Sequence, residues 1–308
     1  MHTNQHRNKR RRTQFGPARN FKQRLYGALD LGTNNCRLLI ARPVGFGFRV
    51  TASFSRVVRL GEGLSASGRL SDTAMDRTIQ ALAICAAKLK DLGVASSRNI
   101  TTEACRRADN CNSFIEKIDQ QTGLAFETIS YREEARLALL GCQSLLTDGL
   151  PYALVFDIGG GSTELTWARR NEVNGFDIID VLSLPFGVVT LAEECDPPEI
   201  DCGAYQKMVA HIQDQLPDFC DRNKIRQEVS AGSVQMLGTS GTVTTLGAVH
   251  LKLPRYSRSL IDGLEIDFEA LEAATAMLSS LDFERRAEVP CIGAERAELV
   301  IRSEEHTS

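Results

Sequence analysis

The sequence predicts an α/β protein built from two related halves, and three observations carry that reading. Each half opens on an apolar strand that ends in Asp-x-Gly, each such strand is followed at once by a second apolar run, and strand-like and helix-like patterns alternate through the rest. The first phrase is Leu25-Tyr-Gly-Ala-Leu-Asp30-Leu-Gly32 with Arg37-Leu-Leu-Ile-Ala41, and the second is Ala153-Leu-Val-Phe-Asp157-Ile-Gly159 running on to Glu164-Leu-Thr-Trp167. Their Asp residues lie 127 positions apart, too far for a solenoid repeat and the right distance for two facing domains. Because a hairpin opens both halves, the sheets should be mixed rather than wholly parallel.

Taken in order, residues 1–24 carry eight Lys and Arg and no acid, and read as a disordered basic tail. The rest of the chain sets 28 cations against 39 acids, so the folded body argues against nucleic acid and leaves only the tail able to hold it. After the first hairpin, Ser71 and Asp72 cap a helix with Met75, Ile79, Leu82, Ala86 and Leu89 on one face and Gly93 beyond its end. Arg98–Arg106 reads as a strand leading into a loop and helix, residues 126–130 as a short strand, and residues 133–146 as a helix. The halves divide near residues 148–151, giving domains of 25–149 and 150–301. In the second half Val234–Leu237 is a strand running into Gly238-Thr-Ser-Gly241-Thr242, a glycine turn before a helix. The apolar period of 295–301 breaks without a cap, and residues 302–308 read as a non-native tail.

No run approaches the roughly 18 apolar residues that span a bilayer. The nine cysteines are odd in number and never spaced C-x-x-C, which points to free thiols in a reducing cytoplasm, without a disulfide framework or zinc site.

Three donor-rich turns offer backbone N–H groups to an anion: Gly32, Thr33, Asn34 and Asn35; Gly159, Gly160, Gly161 and Ser162; and Gly238, Thr239, Ser240, Gly241 and Thr242. Glycine is expected there because a missing Cβ allows positive φ and close approach to phosphate oxygens. Asp30 and Asp157 suit Mg²⁺ beside phosphate, or bonds to their own turn amides, and Glu164 is a third metal candidate. Arg37 and Arg106 can grip phosphate, while Arg106 can instead pair with Glu103 or Asp109. Glu133 and Glu134 open a helix, where either stabilises the helix start or orients water for attack on a phosphoryl group.

With these residues assembled, the chain resembles the exopolyphosphatase and guanosine pentaphosphate phosphohydrolase family of the actin, sugar kinase and Hsp70 superfamily. The resemblance rests on six ordered motifs at Ala28–Arg37, Thr102–Arg106, Ile129–Arg136, Phe156–Glu164, Ser183–Gly187 and Gly238–Thr245. It implies two ribonuclease-H-like domains around a cleft, Mg²⁺ dependence, and a catalytic Glu at Glu134 or Glu133. It also implies metal and phosphate binding by Asp157 and Gly159–Gly161, and phosphate binding by Arg106 and the Asp30–Asn35 loop. Polyphosphate is the first substrate expected and guanosine pentaphosphate the second; a homodimer is the partner state kept open. The chain departs from the family pattern at Asn35, where Ser is usual, and at Tyr131, where Gly is usual. Longer members continue into a C-terminal helical domain. Two other readings stand beside hydrolysis: a non-hydrolysing sensor of polyphosphate or alarmone, and an ATPase or kinase of the same fold.

Overall fold

The computed structural model describes residues 24–292, apart from 46, 148, 174 and 195–208. The basic tail, the 295–301 helix and the 302–308 tail read from the sequence therefore lie outside the described residues, as do Cys195 and Cys202.

The first sheet has the order β3-β2-β1-β4-β5. β1 (Tyr26–Leu31) pairs antiparallel with β2 (Asn35–Val44), which pairs antiparallel with β3 (Gly47–Val57). β4 (Ser96–Thr101) runs parallel to β1, and the two-residue β5 (Glu127–Thr128) parallel to β4, so the sheet is mixed. Leu29, Leu31, Cys36, Leu38 and Ile40 alternate onto one buried face, as period-two patterning requires. A short turn of helix, α1 (Leu64–Ser67), precedes α2 (Asp72–Asp91), which covers that face. The Ser71 side chain accepts from the Ala74 N–H at 3.2 Å, and the chain leaves α2 through Gly93 at φ 61°. Met75, Ile79, Leu82 and Leu89 of α2 are buried in the same core as Phe114 and Ile118 of α4 (Cys111–Thr122). Between β4 and α4 sits the five-residue α3 (Glu103–Arg107).

The second sheet has the order β8-β7-β6-β9. β6 (Tyr152–Ile158) and β7 (Thr163–Arg170) form its hairpin, β8 (Phe176–Leu184) pairs antiparallel with β7, and β9 (Val234–Thr239) runs parallel to β6. α6 (Val188–Glu194) follows β8. Buried Trp167 stacks on Tyr152 at 4.9 Å and packs against Phe219 of α7 (Pro217–Arg222) and Ile225 of α8 (Ile225–Ser230). On the other flank α9 (Ser240–His250) packs with Ile261 of α10 (Arg258–Ile261) and Leu278 of α11 (Phe268–Ser279); the short α12 (Phe283–Ala287) follows.

The helix expected over 133–146 starts two residues earlier, as α5 (Tyr131–Cys142), because Ser130 caps it by accepting from the Glu133 N–H; a 3₁₀ turn continues it to Leu145. Leu139 of α5 is buried with Ala153, Val155 and Ala168 of the second sheet, a burial that contributes about 2 kcal/mol. Packing thus passes to the second sheet already at α5, ahead of the chain division at 148–151.

The expectation of free thiols throughout is corrected at one pair. Cys105 in α3 and Cys111 at the start of α4 form a disulfide, because the turn through Asp109 and Asn110 brings their Cα atoms to 5.2 Å. Cys36, Cys85, Cys142, Cys220 and Cys291 are free. Among the described residues no helix is long and apolar enough to cross a membrane.

Candidate active site

Because β4 and β9 run parallel to β1 and β6, four segments leave their sheets at corresponding ends: the Asp30 turn, Thr102, the Asp157 turn and Ser240. Open α/β sheets place ligands at the carboxyl ends of their strands, and here those ends enclose a cleft of about 510 Å³. Asp30, Gly32, Thr33, Asn34, Asn35, Arg37 and Glu134 line it from one side, and Asp157, Gly159, Gly160, Gly161, Ser162, Ser240, Gly241 and Thr242 from the other.

The two hairpin turns share one backbone arrangement. The Gly32 N–H donates to the Asn35 carbonyl and the Gly159 N–H to the Ser162 carbonyl, each at 2.9 Å. The N–H groups of Thr33, Asn34, Gly160 and Gly161 donate to no protein acceptor among the described residues, which leaves them for an anion. The glycines are required for a different reason than positive φ, which none of Gly32, Gly159, Gly160 and Gly161 adopts. A Cβ on Gly160 would stand 3.1 Å from the Asn34 nitrogen, and one on Gly161 would stand 2.7 Å from Thr33 Oγ1. Their absence lets the two turns meet at the base of the cleft.

The third turn departs from expectation. Gly238 and Thr239 belong to β9 and do not line the cleft; Gly238 is small because the Phe156 ring and Val243 occupy the space of its Cβ. The residue at positive φ is Ser240, at 85°, whose hydroxyl donates to the Ile158 carbonyl and ties α9 to β6. Gly241 and Thr242 then present the first turn of α9, whose unpaired amides carry the positive end of the helix dipole.

Arg106 lies behind the cleft wall and joins three carboxylates. Its Nη1 donates to Glu134 at 2.7 Å and to the Ile129 carbonyl at 3.1 Å, its Nε donates to Glu103 at 2.9 Å, and its Nη2 stands 3.8 Å from Glu164. Of the two acids read from the sequence as ion-pair partners of Arg106, Glu103 pairs with it and Asp109 takes no part; Glu134 is added. Glu164 is buried, accepting from Ser162 at 2.7 Å and Ser183 at 3.0 Å.

The adjacent glutamates part company. Glu133 turns to the surface, between Arg136 at 2.6 Å and Arg98 at 3.0 Å, and hydrogen bonds from Arg136 above all hold its carboxyl down to about 2. Glu134 lines the cleft, and burial raises its pKa against the opposing pull of Arg106. Burial likewise pushes Asp157 up to about 7 and Glu164 up to about 8, with the Glu134 charge adding to both. Asp30 is raised by burial and eased by Arg37.

Sequence reasoning passed over Thr102, Glu103, Thr245, Ser55 and Arg56, which also line the cleft. For Glu103 and Arg106 the i,i+3 spacing was the available signal. Of the two departures from the family pattern, Asn35 lines the cleft and Tyr131 does not.

The family model of the Ppx/GppA phosphatases matches residues 39–303. The chain belongs to the Ppx/GppA phosphatase family. Its structure is similar to that of an exopolyphosphatase-like protein, with 28% identity over 91% of this chain and 86% of the other and a TM-score of 0.80. It shares the fold of a Ppx/GppA family member from Aquifex aeolicus (23% identity, 92% and 88% covered, TM-score 0.73) and of an exopolyphosphatase from Cytophaga hutchinsonii (21%, 92% and 88%, 0.78). The two mixed α/β sheets are the fold shared with these Ppx/GppA proteins, and at the level of the family the chain is a phosphoanhydride hydrolase.

A divalent cation can be judged against the donors present. Among the described residues no three acidic, Cys or His side chains converge closely enough to hold a metal unaided. Mg²⁺, however, is commonly bound by one or two carboxylates together with substrate phosphates. Asp157 fits that part, since its carboxylate has no hydrogen bond or ion pair among the described residues and burial makes its lone charge costly. The buried Asn34 Oδ1 is also without a hydrogen-bond partner among the described residues, and Asn34 lies against Gly160 of the same turn.

Proposed function

We propose that this Ppx/GppA protein hydrolyses the terminal phosphoanhydride bond of inorganic polyphosphate, with guanosine pentaphosphate as its second substrate. One observation carries the reading: of the two adjacent glutamates only Glu134 lines the cleft, together with the unpaired amides of both turns. Those amides and Arg37 receive the phosphate oxygens, and the first turn of α9 lines the same cleft. Glu134 takes a proton from the attacking water as its oxygen bonds to the terminal phosphorus and the bridging P–O bond breaks, the electron pair leaving with the shortened chain. Burial raises its pKa, which makes it a stronger base than an exposed carboxylate, and Arg106 fixes its orientation. Asp157, with Glu164 behind it, would hold Mg²⁺ against the phosphates. When bound, the ion supplies neutralisation of phosphate charge. Glu133, committed to Arg98 and Arg136, takes no part in the chemistry.

The test is phosphate release from polyphosphate and from guanosine pentaphosphate with Mg²⁺, alongside equilibrium binding. Glu134→Gln should lower turnover about 10²–10⁴-fold with ligand still bound, while Glu133→Gln stays within about twofold. Binding without release by the wild-type protein would overturn hydrolysis and leave a sensor.

A further inference from the structure

The β2–β3 hairpin that walls one side of the cleft contains four arginines, Arg37, Arg42, Arg49 and Arg56, with a fifth, Arg59, just beyond it, and the chain has no acid between Asp30 and Glu62. None of the five forms an ion pair among the described residues. Of the flanking acids, Asp30 lies across the strand pair from Arg37 alone, and Glu62 is taken by Arg77 at 2.8 Å, so neither reaches Arg42 or Arg49. Arg56 lies over the Phe54 ring, which supports its guanidinium without neutralising it.

The far half of the hairpin holds the more telling feature. Past the register shift at Ile40 and Ala41, Arg42 and Arg49 stand directly opposite one another on neighbouring antiparallel strands. Like charges so placed destabilise a sheet, and no carboxylate among the described residues pairs with either. β3 is also an edge strand, so its outward amides are open along its length. β3 runs towards the cleft, with Arg49 seven residues before Arg56 and therefore about 23 Å farther out. A ligand that engages both arginines must be long, linear and anionic. A nucleoside polyphosphate seated in the cleft lacks that reach.

We propose that this hairpin is a rail for the trailing part of a polyphosphate chain whose terminal phosphate lies in the cleft, so that long polyphosphate is preferred to short polyphosphate and to guanosine pentaphosphate. Arg37 and Arg56 take the phosphates at the mouth, and Arg42 and Arg49 those farther out. The rail rests on the substrate reading above and extends it to chain length. Like other dense polyanions, the chain releases counterions as it is bound, so the rail's share of affinity falls with salt.

The test uses Arg49→Glu, which turns the repelling cross-strand pair into an attracting one, and Arg42→Gln, which only removes a charge. Equilibrium binding and phosphate release are measured with long-chain polyphosphate, tripolyphosphate and guanosine pentaphosphate across a salt series. Arg49→Glu should unfold at the same or a higher temperature than wild type yet bind long polyphosphate about tenfold more weakly, with the slope of log K against log salt reduced by about one to two. Arg42→Gln should shift both in the same direction by less, with kcat and all constants for the two short ligands unchanged. Equal long-chain affinity in wild type and Arg49→Glu, or a loss shared by tripolyphosphate, would overturn the rail. So would wild-type protein that binds long chains no better than short ones. If wild type releases phosphate from none of the substrates, hydrolysis fails, and the binding series still decides the rail.

Discussion

The two hairpin turns of this protein have equivalent backbones and opposite electrostatics. Asp30 and Asp157, Gly32 and Gly159, Asn35 and Ser162 correspond at the same spacing, and the turn amides bond in the same way. The residue across the strand pair differs: Asp30 lies opposite Arg37, whereas Asp157 lies opposite Glu164. Burial raises both Asp residues and Arg37 eases both, but Asp30 has Arg37 directly across from it, whereas Asp157, raised to about 7, lies across from Glu164, itself raised to about 8. On the function proposed above, the two equivalent turns are two half-sites, one prepared for an anion and the other short of positive charge until a cation or the substrate complex supplies it.

If that division holds, removing the two Asp charges has unequal effects, and this is the largest difference expected. Asp157→Asn should lower Mg²⁺-dependent phosphate release about 10²–10³-fold and weaken the response to Mg²⁺, by analogy with the loss of a single electrostatic contact in other active sites. Asp30→Asn should retain the Mg²⁺ response and lose activity mainly through KM, because Arg37 loses its counter-charge and shifts. A Mg²⁺ titration of both variants measures this; equal loss of Mg²⁺ response in the two would break the comparison.

A smaller difference is expected in how the turns are backed. Gly187 lies behind the second turn so closely that a Cβ would stand 2.5–2.7 Å from backbone atoms of Gly159, Gly160 and Gly161. Gly61 backs the first turn, but a Cβ there meets chiefly the Thr33 methyl group, a side chain that can rotate. Gly187→Ala should therefore displace the second turn, cost about 1–3 kcal/mol and lower kcat/KM about tenfold, with Gly61→Ala costing less. Thermal unfolding and kinetics on both variants measure the contrast, and equal effects would show that the turns are equally braced.

Much of this arrangement was legible in the chain. The hairpins, the α2 cap and the mixed sheets follow from local periodicity and short-range turn chemistry, and even the contrast between Arg37 and Glu164 sits at a fixed offset from each Asp. Less visible were contacts set by packing between distant segments. Arg106 gathers Glu103, Glu134 and Glu164 from three parts of the chain, Gly238 is small because of a phenylalanine 82 residues earlier, and Cys105 meets Cys111 only because α3 is a single turn long. The choice between Glu133 and Glu134 lay in between: Arg136, three residues on, marks Glu133 as the surface partner, but only the position of α5 against both sheets shows that its neighbour faces the cleft.

The smallest effect is in stability, and its sign separates the turns most cleanly. A carboxyl whose folded pKa is raised contributes most to stability below its unfolded value, near 4, and that contribution is lost as pH rises through the folded value. For Asp157 and Glu164 the window runs from about pH 4 to about 7–8, so the metal-free protein should become less stable across it. Asp157→Asn should flatten the slope and raise metal-free stability at pH 8 by about 1 kcal/mol, a figure kept below the full shift because water and Arg37 share the cleft. Saturating Mg²⁺ should flatten the wild-type slope as well, by favouring the charged carboxylates. Asp30→Asn should gain less, since Arg37 attracts both carboxylates but lies directly across the strand pair from Asp30, so that variant loses the nearer attraction. Urea unfolding at pH 5 and pH 8, with and without Mg²⁺, reads all four terms. A wild-type slope indifferent to Mg²⁺, or a gain from Asp30→Asn as large as that from Asp157→Asn, would mean that the second turn is not the one waiting for a cation.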